Sequence, residues 1–214
     1  MKINSIISKY DGFIFDFDGV IVDSLGIKAE AFGLLFEDLG PAVMAEVRAY
    51  HLSHGGVSRY KKFEYYYRTF RGREITLEES AALDKKYSDL VVSKVVAGDA
   101  IPGVMDVLQA IRTAGKVCYV VSATPEAEIR HIVEARGLGS FFKDVLGSPC
   151  SKTDNVGVLI RKHGLTMKRL VYFGDAKSDL EAAQAHRVDF IGVVYGESTE
   201  LKAIQGIEVI PDFQ

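Results

Sequence analysis

The chain has 214 residues, 48% of them apolar and 26% charged, with a formal net charge of −3. That is enough apolar material for one packed core or a core with an insertion, and the slight acidic excess leaves out the basic footprint that nucleic-acid binders carry. No apolar run approaches the ~20 residues a membrane helix needs, and two cysteines, Cys118 and Cys150, make no disulfide framework in a chain of this size. No signal pattern precedes Phe13, so a cytoplasmic protein with neither nucleic-acid nor membrane partners is expected.

Gly12 to Phe17 reads as a short strand buried on both faces, as in a parallel sheet. It ends in two carboxylates, Asp16 and Asp18, followed by Gly19. Residues at i and i+2 of an extended segment point the same way, which puts both acids in one volume beyond the carboxyl end of the strand, where open α/β sheets place ligands. Two such groups repel each other and lose hydration there, so a cation is expected. A plain turn is the bland alternative, because Asp and Gly are common turn formers.

From Ser24, placed as an N-cap, the pattern turns helical, with Leu25, Ala29, Phe32, Leu35, Phe36 and Leu39 on one face until Gly40-Pro41. A second helix is predicted over 42–51 and a third over 57–70. In the third, Tyr60, Phe63, Tyr67 and Phe70 repeat at helical spacing and read as core. A fourth opens with a capping box at Thr76 and Glu79 and runs toward Val95. This helical stretch, 23–98, is expected to be an all-α unit inserted between residues 1–22 and 99–214, hung on two chain crossings and placed to act as a lid.

Beyond Ile101 the chain alternates, with helices predicted over 104–114, 125–136, 155–163 and 178–185 and strands over 117–121, near 145, 170–173 and 188–194. The fold expected is α/β, a Rossmann-like parallel sheet with helices on both faces, plus the inserted helical cap.

Polar groups recur at the strand ends. Ser122 follows one strand, and its hydroxyl, with the backbone N–H of Ala123 nearby, could hold an anion at a helix entrance. A locally bonded serine is the alternative. Thr124 before Pro125 reads as a helix cap. Lys152 lies in a predicted loop, where it is either solvated or a fixed positive charge in the crevice. Gly174-Asp175 ends another strand, with Asp179 four residues on. Either these are a turn residue and a first-turn acid, or they supply the oxygen ligands that Mg²⁺ prefers.

Taken together, Asp16-Phe17-Asp18-Gly19-Val20, Ser122, Lys152 and Gly174-Asp175 with Asp179 resemble, in order and spacing, the four motifs of haloacid dehalogenase-type hydrolases. The helical insertion resembles the α-helical cap of the phosphoglycolate phosphatase and β-phosphoglucomutase-like members. The resemblance implies a phosphatase in which Asp16 is the nucleophile and Asp18 the general acid and base. It implies that Ser122, Ala123 and Lys152 hold the phosphoryl oxygens, and that Asp16, the Asp18 carbonyl, Asp175 and Asp179 hold Mg²⁺. An aspartate at position 18 is the form found in members that act on phosphate groups. The implied partner is a small phosphorylated metabolite, with the oligomeric state left open between monomer and homodimer.

In the cap, Gly56-Val57-Ser58-Arg59 resembles a β-phosphoglucomutase segment whose arginine contacts a substrate phosphate, and Lys28 stands where those mutases carry a catalytic histidine. Arg59, Lys61 and Lys62 read equally as a solvated helix face. His51 and His54 read as surface or packing residues. Phosphate-ester hydrolysis is the expected function. Phosphoryl transfer within a substrate, as in a mutase, and a binding module without turnover are the alternatives.

Overall fold

The computed structural model describes residues 3–196 and 200–214, with the side chains of residues 3, 4 and 200 left aside. A helix α1 (Ile3–Lys9), which the sequence reading did not include, packs Ile6 and Ile7 beneath the sheet and leads into β1 (Gly12–Phe15). Four helices follow: α2 (Leu25–Leu34), α3 (Pro41–Ser53), α4 (Arg59–Tyr66) and α5 (Leu77–Ala97). Then come α6 (Val104–Thr113), β2 (Val117–Pro125), α7 (Glu126–Ala135), β3 (Phe142–Ser148), α8 (Lys152–His163), β4 (Leu170–Gly174), α9 (Lys177–Ala185), β5 (Asp189–Val193) and β6 (Glu208–Ile210).

The six strands form one parallel sheet in the order β3-β2-β1-β4-β5-β6. Strand β1 is central and fully buried, which is why it reads as an unbroken apolar run. Phe15 is in register with both Val120 of β2 and Phe173 of β4. Residues 16–18, 122–124 and 174–175 therefore lie side by side at the carboxyl end of the sheet, and this register brings acids far apart in sequence into one crevice. β6 was not predicted: it is three residues long with only Ile210 buried, too short for a period to show.

The helical unit has its own aromatic interior. Phe32 lies within 4.4 Å of the Tyr87 ring and 6.0 Å of Phe63, centroid to centroid. Phe63 is fully buried and Tyr60 and Phe70 pack against the same cluster, so the aromatic stripe is core as expected. The third cap helix ends differently: Tyr67–Arg71 widens into a π turn before Gly72 at φ +67°. The Thr76–Glu79 capping box forms in both directions, at 3.2 and 3.0 Å. The chain leaves and re-enters the sheet side by side, with an antiparallel bridge between Val22 and Ala100 and Asp23 N donating to Asp99 O at 2.9 Å.

Two boundaries shift with consequence. A register irregularity between Val121 and Pro125 lets β2 run on to Pro125, so Thr124 is not a helix cap. Helix α8 starts at Lys152, because the Ser151 hydroxyl caps it by accepting from Asp154 N at 3.1 Å, so Lys152 is a first-turn residue, not a loop residue. Among the described residues no helix is long and apolar enough to cross a membrane.

Candidate active site

Asp16, 4% exposed, is the first residue beyond β1, and its N–H continues the pairing by donating to Phe173 O at 2.9 Å. One carboxylate oxygen accepts from Phe17 N at 2.6 Å and the other from Lys152 Nζ at 2.6 Å. The same ammonium donates to Asp179 Oδ1 at 2.7 Å. Asp179 is fully buried and also accepts from the Tyr172 hydroxyl at 2.6 Å and from Ala176 N at 3.1 Å. Gly19 turns the chain away at φ +76°, a conformation that a side chain disfavours, and a Cβ there would lie 2.5 Å from Asp175 Oδ2.

Asp16, Asp175 and Asp179 each offer a carboxylate oxygen, all within 4.8 Å of one another and all buried. Burial pushes the Asp16 carboxyl up to about 7, helped by the neighbouring charges of Asp179 and Asp18 and opposed by Lys152. Asp175 is driven well above the ordinary carboxylate value by burial and then by Asp16 and Asp179. Lys152 loses hydration too, but Asp16, Asp179 and Asp175 together hold it firmly protonated. One lysine against three buried acids leaves excess negative charge, and hard oxygen donors at this spacing fit a divalent cation.

The Asp18 side chain turns away from that trio toward the cap. It accepts from Ser24 Oγ at 2.6 Å, from Lys28 Nζ, and from Thr124 Oγ1 at 3.2 Å. Lys28 also donates to Thr124 at 2.8 Å. Burial alone would raise the Asp18 carboxyl, yet the Lys28 charge and these donors hold it below its ordinary value. Of the expected metal ligands, Asp18 could thus serve only through its backbone. Ser122 is 1% exposed and its hydroxyl accepts from Thr124 N at 3.1 Å, the local bond of the alternative reading. Ala123 and Thr124, not Ser122, line the pocket with Asp16, Lys152 and Asp175.

The cap wall departs from expectation. Arg59 is neither solvated nor turned to an empty subsite: its guanidinium meets Asp84 at 2.9 Å and Glu128 of the core at 3.0 Å, and lies over the Tyr87 ring. Lys62 is 1% exposed, not on a solvated face, and donates to His51 Nδ1 at 2.9 Å. Both residues line the pocket. Burial, then Lys62 and Lys28, push His51 well below its ordinary value, so it is neutral and accepts. Lys61 is exposed, and His54 stacks on Tyr50 at 3.9 Å, a packing role.

Ser24, Thr124, Tyr172 and Glu128 carry no site role in the sequence reading. Ser24 and Thr124 each had a sufficient local explanation as caps, and Glu128 lies in the first turn of α7, where an acid needs no partner to be favoured. Tyr172 did leave a signal, since a tyrosine inside a buried strand needs a partner for its hydroxyl.

A family model described as haloacid dehalogenase-like hydrolase matches residues 13–193. The chain belongs to the haloacid dehalogenase-like hydrolase family. It is similar to a phosphoglycolate phosphatase of Aliivibrio fischeri, 29% identical over 169 residues that span 75% of this chain and 73% of that protein. It is also similar to one of Pseudomonas putida, 30% identical over 100 residues, 44% of this chain and 37% of the relative. The match thus spans well under half of the Pseudomonas protein. Among solved structures it is similar to CbbY of Rhodobacter sphaeroides in complex with phosphate, at TM-score 0.78 and 19% identity over 95% of each chain. A predicted phosphoglycolate phosphatase of Haemophilus somnus gives TM-score 0.76 at 19% identity, covering 96% of this chain and 95% of that one. At these identities the structures show the family's fold: a six-stranded parallel core with a helical insertion after the first strand.

Proposed function

We propose that the protein is a Mg²⁺-dependent phosphatase acting on a small soluble phosphate monoester through an aspartyl-phosphate at Asp16. The observation that carries this reading is the Lys152 ammonium bridging Asp16 and Asp179 beside the carboxylate trio, at a strand-end crevice roofed by the cap. The sequence relatives named phosphoglycolate phosphatase support a small anionic ester as substrate class.

Asp16, the Asp18 carbonyl, Asp175 and Asp179 would hold Mg²⁺, which when bound supplies positive charge against the repulsion between nucleophile and phosphate. An Asp16 oxygen attacks phosphorus, forming the acyl phosphate and splitting one hard displacement into two easier steps. Lys152 holds a phosphoryl oxygen and favours the ionised form of Asp16 against burial, and the backbone at Ala123 with the Thr124 hydroxyl bounds the other side. Asp18 gives a proton to the leaving oxygen and then takes one from the attacking water. The carboxylate form needed in the second step is the form that Ser24, Lys28 and Thr124 favour. Tyr172 holds Asp179 in place, and the cap excludes bulk water.

The test is phosphate release from a panel of phosphorylated metabolites with Mg²⁺, by wild type and by Asp16→Asn. Loss of release by about a thousandfold or more in the variant, with an unchanged melting profile, is expected. Undiminished release by Asp16→Asn rejects the mechanism. Isomerised sugar phosphate with little free phosphate would replace hydrolysis by the mutase reaction.

A further inference from the structure

The cap side of the pocket that holds Asp16 carries polar atoms that the mechanism leaves unused. Tyr87, in the middle of α5, and His51, in the last turn of α3, both line that pocket. The Phe32 ring lies against each of them, 4.4 Å from Tyr87 and 4.6 Å from His51 between centroids. Tyr87 is 2% exposed and His51 5%. The Tyr87 hydroxyl makes no hydrogen bond among the described residues, yet it is not sealed in the packing as the Tyr119 hydroxyl is, so its remaining surface opens on the pocket. The Arg59 guanidinium, 4.5 Å from the Tyr87 ring centroid, helps to fix that ring in place. Burial holds the phenol well above its ordinary value, so it stays protonated and can both donate and accept.

At His51 the contact with Lys62 decides the tautomer. An ammonium only donates, so Nδ1 accepts and the one proton of the neutral imidazole sits on Nε2. That N–H has no acceptor among the described residues, and it too is not sealed in the packing. Buried polar groups left without partners are uncommon in native proteins, so two of them on one side of a crevice point to a group supplied from outside. What they fit is an uncharged oxygen. Lys28 is answered by Asp18, Arg59 by Glu128 and Asp84, and Lys62 is turned to His51. The charges of Asp18 and Glu128 also oppose a negative group at the phenol. A hydroxyl accepts from His51 Nε2 and exchanges a bond with Tyr87, while Leu25, Phe32 and Val57 give its carbon chain an apolar wall.

We infer that Tyr87 and His51 are specificity-determining residues, whose phenol and Nε2–H read hydroxyl groups on the substrate's leaving group and so select a hydroxylated ester over a plain alkyl one. A site built to bond a hydroxyl rejects the analogue that lacks it, because its own buried polar groups are then left unpaired. The inference rests on the phosphatase reading of Asp16 and assigns selectivity to two cap residues that touch neither the metal ligands nor the transferred group.

The test sets glycerol 3-phosphate against propyl phosphate, which share the phosphoryl group, the charge and the chain length and differ in the hydroxyls. The ratio of kcat/KM for the two esters is read with Mg²⁺ on the enzyme with Asp16 intact, and the ratio of affinities by calorimetry on an Asp16→Asn background. Both ratios are expected to favour glycerol 3-phosphate by about a hundredfold, and Tyr87→Phe or His51→Asn each to shrink them about tenfold. His51→Asn keeps an acceptor for Lys62 and removes the Nε2 donor. Tyr87→Phe deletes an oxygen that the free protein leaves unbonded, so its ligand-free melting temperature should hold, which a structural hydroxyl would not allow. Ratios near one in the wild type, or ratios that neither variant changes, overturn the assignment. Preference for glycerol 3-phosphate in binding with no hydrolysis of either ester would instead overturn the phosphatase reading and leave the role of the two residues standing.

Discussion

The Arg59 guanidinium and the Glu128 carboxylate meet across the joint between cap and core, with only 4% and 11% of their side chains exposed. Ser88 of α5 donates to the same carboxylate, and Asp84 accepts from the Arg59 Nη1 that also donates to Glu128. Breaking one partner of a buried pair leaves an uncompensated charge, which this joint can relieve by opening. Glu128→Gln keeps the volume and removes the charge. It is expected to lower kcat/KM about tenfold and to speed protease cutting near Asp99. Unchanged values of both would show that the pair does not hold the cap shut.

Three buried carboxylates around one lysine make the site dependent on added positive charge. Mg²⁺ at about a hundredfold over its Kd should stabilise the fold by about 2–3 kcal/mol, and chelation should reverse it. In Asp175→Asn that increment should vanish while the metal-free stability holds or rises, because a repelling charge has been removed. Denaturant melts with and without Mg²⁺ read both.

Gly19 combines a left-handed backbone with a close approach to Asp175. Gly19→Ala should cost about 1–2 kcal/mol in strain. It should also displace the Asp175 carboxylate, so activity should need more Mg²⁺ for half-saturation. A variant that loses stability while keeping the same Mg²⁺ requirement would separate the two effects and count against the contact.

Away from the site, Asp144 sits 6% exposed between Lys162 at 2.6 Å, His163 at 3.2 Å and Arg130 at 3.2 Å. Burial would raise its carboxyl, but these donors pull it down to about 2. A depressed folded value means stability that is complete above the unfolded carboxylate value of ~3.9 and is lost as pH falls through about 2. Asp144→Asn should therefore be less stable than wild type by about 2 kcal/mol at neutral pH, with the gap closing in strong acid. Urea melts at both ends of this range check the sign.

The parallel core and its acidic crevice were legible because their signals are local. An apolar run stopping in Asp16 and Asp18, and a second one stopping in Asp175, state both the strand and what lies beyond it. Thr124 was misread because a threonine before a proline is a cap in most contexts. Only the irregular pairing of β2 with β3, a long-range fact, turns it toward Asp18. Arg59 and Lys62 were read as a helix face exposed to water or, for Arg59 equally, as a contact to a substrate phosphate, since the charge pattern of α4 does not reveal that both faces are covered, one by His51 and Phe32, the other by Glu128. β6 and α1, of three and seven residues, are too short for a period to show.

The bridge at Val22 and Ala100 has one further consequence. Because the outgoing and returning chain are paired side by side where they leave the sheet, the strands beneath can keep their register whatever the length of the segment that loops out between them. A graft cut at those two positions would set a different roof over the same acids, provided that it carried the Ser24 and Lys28 contacts that hold the Asp18 carboxylate.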